Sequence, residues 1–186
     1  MKKFTVFVFA LCACLSMYAQ TEEDTTIHFK ELIVWMKYGF AGQTIDAYKA
    51  FAQGKGLEQL YEEDKTSEMI LAWGKGIEYA RKGYSEIFTA KDEVYQGLSM
   101  KVTPNKNLYA TMGMTVLFPN QDAQQVFWQE GVEYGCIENT AIETTDLEYN
   151  WKDVKGLKYN ENSKVLVSWR FVYFYHIGDM YFASFQ

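Results

Sequence analysis

Two histidines, His28 and His176, are the acid–base and metal-binding candidates, and they lie at opposite ends of the chain. A metal site built on both would need the fold to bring them together with carboxylates. No H-x-x-x-H or H-E-x-x-H spacing places two ligands on one helix face. His176 precedes Asp179 by three residues, which suits a Ser–His–Asp arrangement, yet no Gly-x-Ser-x-Gly elbow supplies a poised nucleophile. Cys136 could act as a thiol only beside an activating group, and its neighbours in sequence offer none, so it reads as a buried structural thiol. Glu62, Glu63 and Asp64 form a turn-type acidic cluster of the kind that is usually solvated. Neither a D-x-D-x-D-G calcium loop nor a G-x-x-x-x-G-K-[ST] phosphate loop is present. No catalytic residue, metal ligand or cofactor is assigned.

A second kind of chemistry is available from aromatic rings. In "SWRFVYFYHIGDMYFASF", Ser168 to Phe185, eight residues are aromatic. Tyr149, Trp151, Trp169, Tyr173 and Tyr181 could share one sheet face near the C-terminus. Flat aromatic faces stack on sugar rings or line apolar ligand pockets. They are equally what a half-buried pleated sheet favours for its own pairing and core. These five residues are the ligand-binding candidates, and packing of the same rings against a helix is the competing expectation.

The elements that must position these groups are legible to different degrees. Val94, Leu98, Met100 and Val102 alternate with Tyr95, Gly97, Ser99, Lys101 and Thr103. After "PNKN", Leu108, Ala110, Met112, Met114, Val116 and Phe118 alternate with mixed residues. Period two over both segments predicts an antiparallel hairpin with one covered face. Met69, Leu71 and Trp73 alternate after the turn-like "EDKTS", which predicts a hairpin of Leu57–Glu62 with Met69–Gly74. Met69, Trp73 and Ile77 at four-residue spacing give the rival helical reading.

Two helices are predicted. One begins at a Thr44 cap with Asp46 in its first turn and Ala47, Tyr48, Phe51 and Ala52 as its apolar stripe; it stops at Gly54. The other spans Pro119 or Asn120 to Gly135, with Ala123, Val126, Phe127 and Tyr134 buried. Residues 25–40 are expected to form a strand, with Ile27, Phe29, Val34 and Met36 on its faces. Toward the C-terminus, Ala141–Trp151 reads as a strand and "KDVKGLKYNENS" as a polar loop. A terminal hairpin then turns at "IGD". In it Val165, Val167, Trp169, Phe171, Tyr173 and Tyr175 share one apolar face, and Tyr181, Ala183 and Phe185 return beside them.

The stretch "EEDKTSEMILAWGKG", Glu62 to Gly76, followed by paired strands and a helix, resembles small exported bacterial domains of unknown function. These carry a TATA-binding-protein-like βαββββα unit. The resemblance covers about residues 27–135 and implies a fold. It brings no catalytic residues with it and no DNA binding, because fold does not set function. Residues 136–186 depart from that unit as a β-rich extension. The expected class is α+β: a mainly antiparallel sheet with two helices on one face, extended by a C-terminal β-hairpin.

The N-terminus sets the destination. Lys2 and Lys3 precede an apolar run from Phe4 to Leu15, then small and polar residues to Ala19. That order is a secretory signal peptide over residues 1–19, too short to span a bilayer. "LCAC" ending at Cys14 is the alternative, a lipoprotein anchor. Removal of residues 1–19 takes two lysines and no acid, so the formal charge moves from −6 to −8. An acidic mature chain does not suit nucleic acid or an anionic membrane as partner. Cys136 would then be the single cysteine left, so no intramolecular disulfide forms. No second apolar run is long enough for a transmembrane helix, and residues 20–186 are expected to form a single α+β domain. The functional expectation is an exported envelope protein that binds a small ligand, a glycan or another envelope protein without catalysis. A secreted hydrolase using carboxylates or His176 is the alternative.

Overall fold

The computed structural model describes residues 24–33, 35, 43–105, 108–139, 142, 151–158 and 171–185. The fold is α+β, and every strand pairing among these residues is antiparallel. The chain order is α1 (Phe29–Ile33), α2 (Ile45–Gly54), β1 (Glu58–Asp64), β2 (Met69–Lys75), β3 (Ile77–Lys82), β4 (Ser85–Ala90), β5 (Gln96–Asn105) and β6 (Leu108–Phe118). There follow α3 (Gln121–Glu133), β7 (Ile137–Asn139), β8 (Lys152–Lys158), β9 (Phe171–Ile177) and β10 (Met180–Phe185). Eight strands form one sheet in the order β1-β2-β5-β6-β10-β9-β8-β7, and β3 and β4 pair separately.

The two faces of the sheet carry different cores. Phe29, Leu32, Tyr48, Ala52 and Phe127 from the helices meet Trp73, Leu98, Met100, Val116, Phe174 and Phe185 from the strands. On the opposite face, Ile77 and Phe88 of the β3–β4 hairpin meet Leu117, Trp151, Tyr173, Tyr175 and Phe182. The molecule is therefore layered as helices, sheet and hairpin. Strand alternation explains the split, because successive side chains point to opposite faces.

Both longer helices start where side-chain caps allow. Thr44 accepts a hydrogen bond from the Ala47 N–H at 3.1 Å, and Asn120 accepts one from Ala123 at 2.9 Å. In α3 the buried face is Gln124, Phe127 and Gly131, while Val126 is exposed, contrary to the stripe read from sequence. Residues 25–33 are not the expected strand. Glu31 accepts the His28 N–H at 2.9 Å, a first-turn cap, and Phe29, Leu32 and Ile33 then fall on one helical face and are buried. Val34 and Met36 lie outside the described residues.

The β5–β6 hairpin forms as its alternation predicts, with two corrections: Val94 precedes β5 and is exposed, and β6 carries a bulge. Lys101 pairs with Gly113 and Val102 with Thr111, so Met112 is an extra residue at a bulge. Met112 is 56% exposed, whereas Thr111 is buried. The Tyr48 hydroxyl donates to the Tyr109 carbonyl at 3.0 Å, so it accepts from the Thr111 hydroxyl at 2.9 Å.

Residues 152–158 are strand β8 rather than a polar loop. Leu157 is buried in the helix-side core, a packing role that the surrounding lysines mask in sequence. The C-terminal hairpin turns tightly at Gly178 and Asp179, with Gly178 at φ +58°. Its second strand pairs directly with β6, so the tail builds the other half of the main sheet.

Candidate ligand-binding cleft

Residues 77–90 complete the site as the strands β3 and β4, and Ile77 is not on the rival helix. Ile77, Tyr79 and Arg81 on β3, with Glu86 and Phe88 on β4, point toward the sheet, while Glu78, Ala80, Lys82 and Ile87 point outward. The hairpin approaches the sheet where side chains are missing. A Cβ on Gly97 would lie 2.7 Å from Ile77 Cδ1 and 3.0 Å from Phe88 Cε1. Its entry is fixed at Gly76, whose carbonyl accepts from the N–H groups of Lys91 and Asp92 at 2.9 and 3.2 Å.

Beyond Phe88 the hairpin and the sheet enclose a cleft of about 360 Å³. Its floor crosses three neighbouring strands, on which Ser99, Thr115 and Ser184 are paired in one row and Gly113 follows. Small side chains stand where the rest of this face carries large rings. Thr115 Oγ1 lies 3.2 Å from Ser184 Oγ, which lies 3.0 Å from the Tyr175 hydroxyl. One wall is a ladder of nearly parallel rings: Trp151 stacks on Tyr175 at 3.7 Å and 7°, and Tyr175 on Phe182 at 5.2 Å and 12°. The facing wall is Arg81, Glu86 and Phe88 of the hairpin, with Tyr84 at its tip 94% exposed.

Charged groups in the cleft are tied to fixed partners. Glu86 accepts from the Tyr79 hydroxyl at 2.9 Å and from the Ser99 hydroxyl at 2.8 Å. Burial, then the Glu86 charge and its hydrogen bond, push the Tyr79 phenol well above its ordinary range. Arg81 Nη1 donates to Glu63 at 3.1 Å, and Lys101 pairs with Glu68.

Of the five aromatic candidates, Trp151 and Tyr173 come together on the cleft side, ring centres 6.1 Å apart. Tyr181 does not join them: it packs on the helix-side core, because it lies one position from Phe182 and strand alternation sends it to the other face. Tyr149 and Trp169 lie outside the described residues, so of the five candidates the structure shows Trp151 and Tyr173 together and Tyr181 apart. Tyr175, not among the candidates, holds the ladder together with a ring on either side.

His176 is away from the cleft lining. Its Nδ1 lies 2.8 Å from the Gly178 carbonyl and its Nε2 2.9 Å from Asp153. Both partners are acceptors, so the arrangement favours the protonated ring. The Gly178 hydrogen bond, then that of Asp153, raises its pKa. His28 is similarly bound between Asp24 and Glu130. Cys136 is a buried thiol whose pKa burial pushes up to about 11, which keeps it protonated near neutrality. Glu62 and Glu63 pair with Lys49 and with Lys65 and Arg81. Among the described residues no group of three or more His, Cys, Asp or Glu is placed to hold a metal ion. No helix among them is long and apolar enough to cross a membrane.

Comparison with family models, curated proteins and solved structures finds no match. The functional reading therefore rests on this chain's own residues. The signal that could have disclosed the cleft is the hydroxyl row: Ser99, Thr115 and Ser184 each interrupt a strand face with a small polar residue. Their adjacency depends on β10 pairing with β6, which sequence does not state.

Proposed function

We propose that this is an exported, non-catalytic binding domain whose ligand occupies the cleft between the β3–β4 hairpin and the main sheet. The observation that carries the reading is the floor of Ser99, Gly113, Thr115 and Ser184 beneath walls of aromatic rings. The cleft, at about 360 Å³, is of the size used by small-molecule sites, roughly 300–1,000 Å³. A few convergent polar groups among apolar walls is the composition such sites share. The hydrolase alternative has less support, because both His176 nitrogens are engaged and the ring lies outside the cleft lining.

A fragment titration followed by backbone-amide NMR tests the reading. Small neutral fragments such as benzamide and cyclohexanol should shift the amides of Ser99, Glu86, Thr115 and Ser184 as one group. Ser184→Phe, which fills the floor, should abolish those shifts in a folded protein. Shifts scattered over the surface would refute the cleft as the site. Export has its own check: the mature protein should begin at Gln20, whereas a lipid on Cys14 would replace soluble release by anchoring, and an intact Met1 would overturn export.

A further inference from the structure

This inference rests on the cleft being the ligand site. Arg81 points inward from β3 with its side chain 10% exposed. Among the described residues its guanidinium is held at Nη1, which donates to Glu63. Its Nε is closed to water and has no hydrogen-bond partner among the described residues. A buried N–H without an acceptor is a rare and unfavourable feature in a native protein. The cross-strand partner of Arg81 is Glu86, whose two oxygens each accept one hydroxyl hydrogen and keep a further lone pair. Side chains opposite one another on antiparallel strands are near neighbours. The hairpin wall thus offers a donor and an acceptor from cross-strand partners.

Charge narrows what can meet them. Glu63 is shared by Arg81 and Lys65, and Lys101 pairs with Glu68, so with Glu86 the charges around the hairpin wall sum to zero. A ligand carboxylate would be drawn to Arg81 but repelled by Glu86. An ammonium would meet the reverse conflict. An uncharged group that presents an acceptor and a donor along one edge suits both.

We infer that the cleft recognises a cis-amide edge, that of a primary carboxamide or a lactam, carried on an apolar or aromatic body. The carbonyl oxygen accepts from Arg81 Nε as that side chain, held at Nη1, turns toward the cleft. The amide N–H on the same edge donates to Glu86. Phe88 and Phe182 hold the body of the ligand. In a trans secondary amide the oxygen and the N–H point in opposite directions, so it satisfies one group and not both.

The test is a titration of ¹⁵N-labelled protein with benzamide, N-methylbenzamide and benzoate, observing the backbone amides and the Arg81 Nε–H signal. Benzamide should move the Nε–H signal together with the Ser99 and Glu86 amides. The other two probes should bind about tenfold more weakly, the loss of one good hydrogen bond. Glu86→Gln should relieve the repulsion and narrow the gap between benzoate and benzamide. If benzoate binds best and moves the Nε–H signal, the site is an anion site and the cis-amide assignment is overturned. If benzamide moves the cleft amides while the Nε–H signal stays fixed, or if Arg81→Met binds it equally well, the role of Arg81 is refuted and the cleft stands. If none of the three probes moves the cleft amides, the binding reading itself falls with it.

Discussion

Tyr48 shows how one hydroxyl can decide a local structure. It lies buried on α2, donates to the Tyr109 carbonyl and accepts from Thr111, the residue that the Met112 bulge turns inward. Tyr48→Phe keeps the ring and takes this partner from the buried Thr111 hydroxyl, while the Tyr109 carbonyl keeps the Gln43 N–H at 3.0 Å. That should cost about 1–3 kcal/mol, read as a lower midpoint in urea unfolding with an unchanged slope. A variant as stable as the parent would show that water reaches the bulge. The bulge was not legible in sequence, because Leu108 to Phe118 alternates without a break. Only the register against β5 and the polar socket under α2 make Thr111 preferable to Met112 inside.

His28 ties the first described segment to α3. Its ring bridges Asp24, at 2.9 Å, and Glu130, while Glu130 also accepts the Phe29 N–H at 2.7 Å. Glu31 and Lys55 pair close by at 2.9 Å. Burial alone would lower the His28 pKa, but the hydrogen bonds and charges of Asp24 and Glu130 outweigh it, and the net direction is upward. A histidine raised in the folded state stabilises below its unfolded value of 6.5, and that stability fades as pH rises through the folded pKa. Asp24 is lowered, chiefly by its hydrogen bond to His28, so its contribution is present above 3.8 and lost toward acid. The attachment is therefore strongest between these two values. From pH 5.5 to 8.5 the parent should lose more melting temperature than His28→Gln; equal losses would count against the bridge.

At the scale of elements, the β3–β4 hairpin is the piece most dependent on special backbone. Gly76 and Gly83 both have positive φ, +63° and +66°. At Gly83 nothing lies within 4 Å of an added Cβ, whereas at Gly76 it would meet the Val94 carbonyl at 2.3 Å. Gly83→Ala should cost about 1–2 kcal/mol, the strain of a left-handed residue alone. Gly76→Ala should cost clearly more and expose residues 77–90 to rapid hydrogen exchange. Equal costs would mean that the hairpin entry yields freely. Ile77, Tyr79 and Arg81 alternate inward along β3, but so short a piece carries little signal in sequence, and its docking depends on distant Gly97.

Across the whole molecule, β10 holds the two halves of the sheet together by pairing with β6 on one side and β9 on the other. Phe185 lies on its helix-facing side, fully buried, with ring centres 5.7 Å from Phe29 and 6.1 Å from Phe127. Phe185→Ala should cost about 3–5 kcal/mol, a large part of the stability of a single domain. A melting temperature within a degree of the parent would show that the C-terminal strand is dispensable.

Local and periodic features were set by the sequence alone: the Thr44 and Asn120 caps, the β5–β6 hairpin and the turn at Gly178. Each follows from contacts between residues close along the chain, where propensity and alternation act directly. The α+β class follows from their order. The tertiary structure decided which strands became neighbours, and with that everything about the cleft. Pairing of β10 with β6 aligned Ser99, Thr115 and Ser184, and docking of the β3–β4 hairpin over Gly97 placed Arg81 and Glu86 above the gap. Strand alternation says which side chains share a face of one strand. The identity of the adjacent strand is a long-range choice, fixed by packing of the whole chain, and no short stretch of sequence encodes it.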